Sequence, residues 1–399
     1  MSSAEADLLV LGASMLGIEL VYQVRRRAKR PVRTIVVDRQ ARHPYIPLCH
    51  ERLCGRIPTR ATELETAAYV GADPSSSFVQ EEITGFDPET HVATLANGDT
   101  VRGRVVVVAL GSSVAPPPGI EGASAMLTLK SIAAWERANE VVDAALRGAS
   151  DDAPSIFVVG GGISGVELAG ELAHLRHTRP AGWAAPAVTL VHAGERLLPG
   201  LCSAAGRRAA RLLAKQGVEL RLRTRLRGLT DGRATLIGAD GAEDEKSTAL
   251  AFWAGGLRPP GIVRALGLPT TDEGWLMVGP TLQCFPTPVP TDPEVFAGGD
   301  VVRIHGGDGE WPTMQRAIEC IWQAKTLARN VLELLAEPPG YPDGVPPLHP
   351  HHLRTDFPHG VSIGSRSLIV YGRAVSDLGP ISVGFRRWLM RRYFERYAV

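Results

Sequence analysis

No stretch of this 399-residue chain reaches the ~18 consecutive apolar residues of a membrane-crossing helix. Its start, MSSAEADLLVLG, lacks the basic segment, apolar core and cleavage site of a secretory leader, which predicts a cytoplasmic protein. The five cysteines are odd in number and irregular in spacing, so they form neither a secreted disulfide framework nor a zinc pattern. Charge of one sign is scarce as well. There are 43 Lys and Arg against 42 Asp and Glu, a formal charge of +1. Such a balance suits an ordinary globular protein rather than one that coats nucleic acid. Apolar residues make up 44%, and the length allows two or three domains with proper cores.

The most informative stretch is Ile156 to Glu171, IFVVGGGISGVELAGE. Ile156 to Val159 reads as a buried parallel strand, Gly160, Gly162 and Gly165 form GxGxxG, and Val166 opens a helix. The first glycine permits the tight turn and the second lets backbone N–H groups approach a pyrophosphate. The third lets helix and strand pack closely, with phosphate at the positive helix end.

An imperfect copy begins the chain. The strand Ala6 to Leu11 runs into Gly12-Ala13-Ser14-Met15-Leu16-Gly17, with Ser14 where the middle glycine is expected. The next strand, Thr34 to Val37, ends at Asp38, placed where a carboxylate receives an adenosine ribose hydroxyl. Further strands are expected around Phe78 to Phe86, His91 to Leu95 and Arg104 to Ala109, the last ending at Gly111, before the linker Pro116 to Gly119. In the second half, a helix from Ser131 to Leu146 precedes the central strand. Strands Val188 to Val191, Glu219 to Leu222 and Leu250 to Trp253 follow it, with a helix from Ala204 to Gln216 between the first two. Gly160 follows Gly12 by about 150 residues and Gly256 follows Gly111 by nearly the same interval, the mark of an internal duplication. Beyond lie Phe296-Ala297-Gly298-Gly299-Asp300, a helix from about Thr313 to Leu335, a Pro-rich stretch, two strand-like runs and a basic terminal helix.

With these pieces in order, the chain resembles the two-dinucleotide-binding-domain flavoproteins, most closely the type II NADH dehydrogenases and the ferroptosis-suppressor flavoproteins. The GASMLG turn with Asp38, Ala109-Leu110-Gly111, GGGISGVELAGE and FAGGD carry that resemblance. It implies an α/β architecture of two Rossmann-like domains, the glutathione-reductase-like FAD/NAD(P) fold. The FAD domain would take residues 1–118 and 272–337, the NAD(P)H domain 119–271, and a C-terminal segment 338–399. It also implies FAD on Gly12, Ser14, Gly17, Asp38, Gly111 and Asp300, and NADH or NADPH on Gly160, Gly162 and Gly165. Because Ser14 puts a side chain at the close-approach point, FAD is expected to be held a little less tightly than over glycine.

Glu167 resembles the family carboxylate near the nicotinamide; the alternative is a solvated first-turn glutamate. Thr313, Met314 and Gln315 look like the helix start that offers N–H groups to the flavin, with Gln315 matching the first glutamine of the quinone-site helix. The paired glutamines that follow in the family are replaced by Glu319 and Cys320, which leaves the acceptor open. Where many NADH users carry an acid, this chain has His192, with Arg196 close by, so NADPH or both donors become candidates. Cys49 and Cys54 have the CxxxxC spacing of a redox disulfide without its flanking glycines and lysine, and align as well on a segment of type II dehydrogenases.

The terminal helix Phe385 to Tyr397 carries five Arg against one Glu, with Phe385, Trp388 and Leu389 on one face. Two readings apply: an interfacial helix on the inner face of the cell membrane, or a helix docked on the protein's own core. His349, His351 and His352 read as a solvated connector rather than metal ligands. The favoured activity is NAD(P)H:quinone oxidoreduction. The alternatives are a reductase for a ferredoxin-type protein or a disulfide, and a slow flavin redox sensor.

Overall fold

The computed structural model describes residues 3–147, 153–284, 294–306, 309–312, 315–336, 347–354, 357–379 and 381–398. Thr313 and Met314 lie outside the described residues, as does most of the Pro-rich stretch expected after the last nucleotide motif. The helices are α1 (Met15–Arg27), α2 (Cys49–Leu53), α3 (Thr66–Gly71), α4 (Ile132–Arg147), α5 (Ile163–Thr178), α6 (Ser203–Lys215), α7 (Ala317–Leu335) and α8 (Ile381–Arg396).

Strands whose apolar runs are covered on both faces form the parallel parts of two sheets, the first of which also carries an antiparallel hairpin at one edge. In the first, Ser76–Gln80, Thr34–Asp38, Ser3–Leu11 and Thr100–Val108 lie side by side, and Val295–Ala297 adds to the far edge in parallel. In the second the order is Glu219–Leu222, Ala187–His192, Ser155–Val159, Leu250–Trp253. Both halves thus place their third, second, first and closing strands in the same sequence, as the duplication requires. The fold is the expected α/β arrangement with two Rossmann-like cores.

Local differences have local causes. The strand expected across 78–86 is two: Ser76–Gln80 pairs parallel with Thr34–Asp38, while Ile83–Asp87 turns away into an antiparallel hairpin with Val92–Leu95. The late helix begins at Ala317, not near Thr313, because Gln315 takes a left-handed φ of 48° and Arg316 is extended. Pro312 ends a strand, Gly309–Pro312, rather than leading into a helix.

The chain's last part bridges the two cores. Strands His359–Ile363, Arg366–Tyr371 and Ala374–Asp377 form an antiparallel sheet, the third strand of which was not expected from sequence. Val361, Ile363, Leu368 and Val370 bury against the second core. Close packing on α5 depends on Gly170, where an added Cβ would lie 2.9 Å from the Ile363 Cα. Helix α8 then reaches the first core, where Tyr393 and Tyr397 pack with Tyr45 and Tyr69. Its arginines are divided in use. Arg396 pairs with Glu19 at 2.9 Å and Arg386 with Glu51 at 2.8 Å, both carboxylates fully buried. A buried carboxylate without such a partner would be strongly destabilising.

Candidate active site

The two nucleotide turns are built alike. Gly12 (φ 107°) follows the first strand, and a Cβ there would lie 2.6 Å from the Ala109 carbonyl oxygen. Gly160 (φ 128°) follows the equivalent strand, and its Cβ would lie 2.4 Å from the Ala254 carbonyl oxygen. Cβ atoms on Gly17 and Gly165 would meet the carbonyl oxygens of Gly12 and Gly160 at 2.1 and 1.8 Å, so only glycine lets each helix seat on its strand. Gly162 is different, since a Cβ there would meet nothing within 4 Å. The space before it suits the close approach of a ligand backbone. Helices α1 and α5 both start without a side-chain cap and without an acid in the first turn. Unsatisfied N–H groups at a positive helix end are what a pyrophosphate needs. The residues therefore fit a dinucleotide at each turn.

Side chains at the strand ends complete the parallel. The Ala13 N–H donates to Asp38 Oδ2 at 2.7 Å, and the Gln40 N–H donates to Oδ1 at 2.8 Å. In the second half the Gly161 N–H donates to His192 Nδ1 at 3.2 Å. His192 thus stands in Asp38's place, half-buried against Gly161 rather than loose at a strand end. Burial lowers its pKa, and an accepting Nδ1 puts the proton of the neutral ring on Nε2. Arg196 turns to the backbone, its guanidinium donating to the carbonyls of Leu198, Pro199 and Leu201. Ser14 caps nothing; its hydroxyl turns back to the Ala109 carbonyl at 2.7 Å.

Asp300 sits just after the Val295–Ala297 strand, and the chain folds back so that distant residues reach it. Its Oδ2 accepts from the Ser112 hydroxyl at 2.7 Å and from Lys130 Nζ at 3.0 Å. Gln315 Nε2 donates to the Asp300 carbonyl at 3.2 Å, and the preceding Gly299 N–H donates to Gln323 Oε1 at 2.6 Å. Gly111 takes a φ of 67° one residue before Ser112. Sequence reasoning passed over Ser112 and Lys130, which belong to no motif.

Glu167 is not a solvated first-turn residue. Its side chain is 16% exposed, with Oε1 accepting from the Ser362 N–H at 3.0 Å and Oε2 4.0 Å from His50 Nδ1. Burial pushes its pKa up to about 7, against the pull of the Ser362 N–H and the Arg386 and Arg316 charges. His50 is held neutral by burial, which lowers it to about 4. Arg316 is largely buried and bonds His359 Nδ1.

Cys49 and Cys54 both stand on or beside α2 as free thiols, and burial pushes Cys49 to about 12 and Cys54 well above its ordinary value. Neither is held as the thiolate that attacks a disulfide. Glu319, at the altered glutamine position, is buried and accepts from Gln323 Nε2 at 3.2 Å, with His351 Nε2 2.7 Å away. His351 is therefore an interior residue and not part of a solvated connector. No group of three metal-ligating side chains occurs among the described residues.

Known proteins resemble this chain in sequence and in fold. A type II NADH:quinone oxidoreductase of Haemophilus influenzae is 27% identical, over 84% of this chain and 81% of its own length. A nitric oxide reductase FlRd-NAD(+) reductase of Shigella sonnei is 25% identical over 75% of this chain and 73% of its own. Among solved structures, NDH2 of Plasmodium falciparum in complex with NADH aligns with a TM-score of 0.81 at 12% identity, covering 99% of this chain and 96% of that one, a likeness of fold. The family model described as pyridine nucleotide-disulphide oxidoreductase matches residues 6–324. The chain belongs to that family: it is a flavin-dependent oxidoreductase whose cofactors are FAD and a nicotinamide dinucleotide.

Proposed function

We propose that this protein is an NAD(P)H:quinone oxidoreductase, with FAD on the Gly12 turn and the nicotinamide dinucleotide on the Gly160 turn. Bound together, the two cofactors supply hydride transfer from nicotinamide to flavin, an orientation problem rather than one of acid–base chemistry. The chain's part is to position them. Asp38 and Asp300 would accept from hydroxyls of the first cofactor, while Lys130 and Ser112 fix the Asp300 carboxylate and Gln315 tethers its backbone.

The observation that carries the quinone reading is Glu167. A carboxyl raised to about 7, and so about half protonated at neutral pH, is a proton source at the junction of the nucleotide-binding cores and the C-terminal sheet. A quinone needs protons as well as electrons to become a quinol, whereas a one-electron protein acceptor does not. The neutral thiols of Cys49 and Cys54 disfavour a dithiol shuttle. The quinone reductase of Haemophilus influenzae supports the same acceptor class. His192 offers no carboxylate to repel a 2′-phosphate, so both NADH and NADPH serve as donors. Helix α8 docks along the face that carries Ser382, Arg386 and Tyr393 and leaves Ile381, Phe385, Trp388 and Leu389 exposed on the other, in keeping with a peripheral membrane contact.

Delivery of electrons to a protein partner is the second reading, favoured by the relatives that are FlRd-NAD(+) reductases. The test is anaerobic bleaching of the flavin absorbance by NADH and NADPH separately, followed by a soluble ubiquinone analogue. Fast bleaching with prompt reoxidation supports the quinone reading. Bleaching without reoxidation by quinone moves the assignment to a protein partner.

A further inference from the structure

A groove of about 370 Å³ opens between α5, α6 and the C-terminal sheet, away from both nucleotide turns. Four of its lining side chains are cationic: Arg208, Arg211 and Lys215 on α6, and Arg366 on the sheet. One carboxylate faces them, and it is already spent. Asp377 accepts from Arg366 Nε and Nη2 at 3.0 to 3.2 Å and lies 3.5 Å from Arg208 Nη2. Among the described residues, Arg211 and Lys215 have no carboxylate within ion-pair distance, so the groove keeps a surplus of positive charge. His174 and His177 close its α5 side, their rings 5.6 Å apart. Such an arrangement is unneeded for folding, because like charges on one helix face repel.

The groove's neighbour indicates what it meets. Asp377 is followed at once by Leu378, 39% exposed, and then by Ile381 at 80%, the beginning of the bare apolar face of α8. The Asp377 carboxylate also accepts from the Gly379 N–H at 2.9 Å, fixing groove wall and apolar tip to each other. On α8, Phe385 and Trp388 stack with centroids 5.9 Å apart, both about half exposed. A basic recess beside an exposed aliphatic and aromatic ridge matches the two layers of a lipid surface, phosphate outside and acyl chains inside.

We propose that this groove binds the phosphate headgroup of an anionic phospholipid while the Leu378–Leu389 face enters the adjoining acyl boundary. The proposal rests on the peripheral membrane contact given above and adds to it a lipid selectivity. Arg211 and Lys215 supply the free positive charge, while Arg208 and Arg366 are held in place by Asp377.

The test is co-sedimentation of the FAD-loaded full chain with vesicles of phosphatidylcholine alone and of phosphatidylcholine mixed with phosphatidylglycerol. Three variants are compared with wild type: Arg211→Glu with Lys215→Glu in the groove, Arg225→Glu with Arg264→Glu as an equal charge change elsewhere, and Trp388→Glu on the apolar face. All these side chains are exposed, and the flavin spectrum verifies folding. Two basic side chains at an anionic leaflet are worth about thirtyfold in affinity, about 2 kcal/mol. The groove variant should therefore lose at least about thirtyfold on the mixed vesicles and change little on phosphatidylcholine, and the control variant should lose much less.

Equal losses for the groove and control variants overturn the site while leaving the α8 contact intact. Loss of all binding in Trp388→Glu with an unaffected groove variant does the same. Absence of wild-type binding to either vesicle overturns both readings. If soluble glycerol phosphate binds the groove while vesicle affinity ignores it, the source is a free phosphate compound and the lipid assignment falls.

Discussion

Replacing Glu167 by Gln keeps the shape of the side chain and the acceptor that meets the Ser362 N–H, and removes only the titrating proton. The Glu167 carboxyl ordinarily titrates at 4.5 and is raised to about 7 by burial. Because its folded pKa lies above its unfolded one, the native state holds the proton more tightly. That stabilisation is full below about pH 4.5 and is lost as pH rises toward 7. The rise from 4.5 to about 7 sets an upper bound of roughly 3 kcal/mol on this loss. Glu171, one turn along α5, is also raised to about 7 by burial and titrates in the same window in both proteins, so the difference between the two curves is what reports Glu167. Urea unfolding of the FAD-loaded protein at pH 5, 6, 7 and 8 should show wild type losing roughly 2–3 kcal/mol more than Glu167→Gln across the series. Quinone reduction by the variant should fall and lose the step in its pH profile near 7. Parallel stability curves for the two proteins would refute the buried, proton-holding Glu167 and remove the main support for the quinone reading.

Other perturbations probe separate parts of the structure. His192→Asp should weaken NADPH binding at least about tenfold, with NADH little changed, by titration of intrinsic fluorescence; equal effects on both donors would place His192 away from the ribose end. Arg386→Ala leaves buried Glu51 with the more distant Arg387 at 3.9 Å as its ion-pair partner, and should cost about 3–5 kcal/mol in urea unfolding, recovered in part by adding Glu51→Gln. Gly165→Ala would drive a methyl to 1.8 Å from the Gly160 carbonyl oxygen, so the protein should stay yellow yet fail to bleach with either nicotinamide donor. Normal bleaching of that variant would assign the donor to another surface.

Short-range chemistry wrote much of this protein into its sequence. A glycine needed at a positive φ, another needed where a helix crosses a carbonyl oxygen, and an apolar run covered on both faces each leave a local mark. Gly12, Gly17, Gly160 and Gly165 and the strands before them were therefore legible, as was the duplication that repeats them. Asp38 was found by its distance from Gly12, and its hydrogen bond to the Ala13 N–H accounts for that spacing.

Tertiary structure alone decided the rest, because the partners lie far apart along the chain. Ser362 reaches Glu167 across 195 positions and Lys130 reaches Asp300 across 170, so no window of sequence holds both members of either pair. Helix α7 starts later than its pattern suggests because Gln315 turns left-handed with its amide on the Asp300 carbonyl, a bond invisible to periodicity. The division of α8 into a docked face and a bare face likewise depends on Glu19, Glu51 and a tyrosine cluster from the other end of the chain. Local residues set which backbone conformations are possible at each turn; which buried charges meet follows only once the cores have packed.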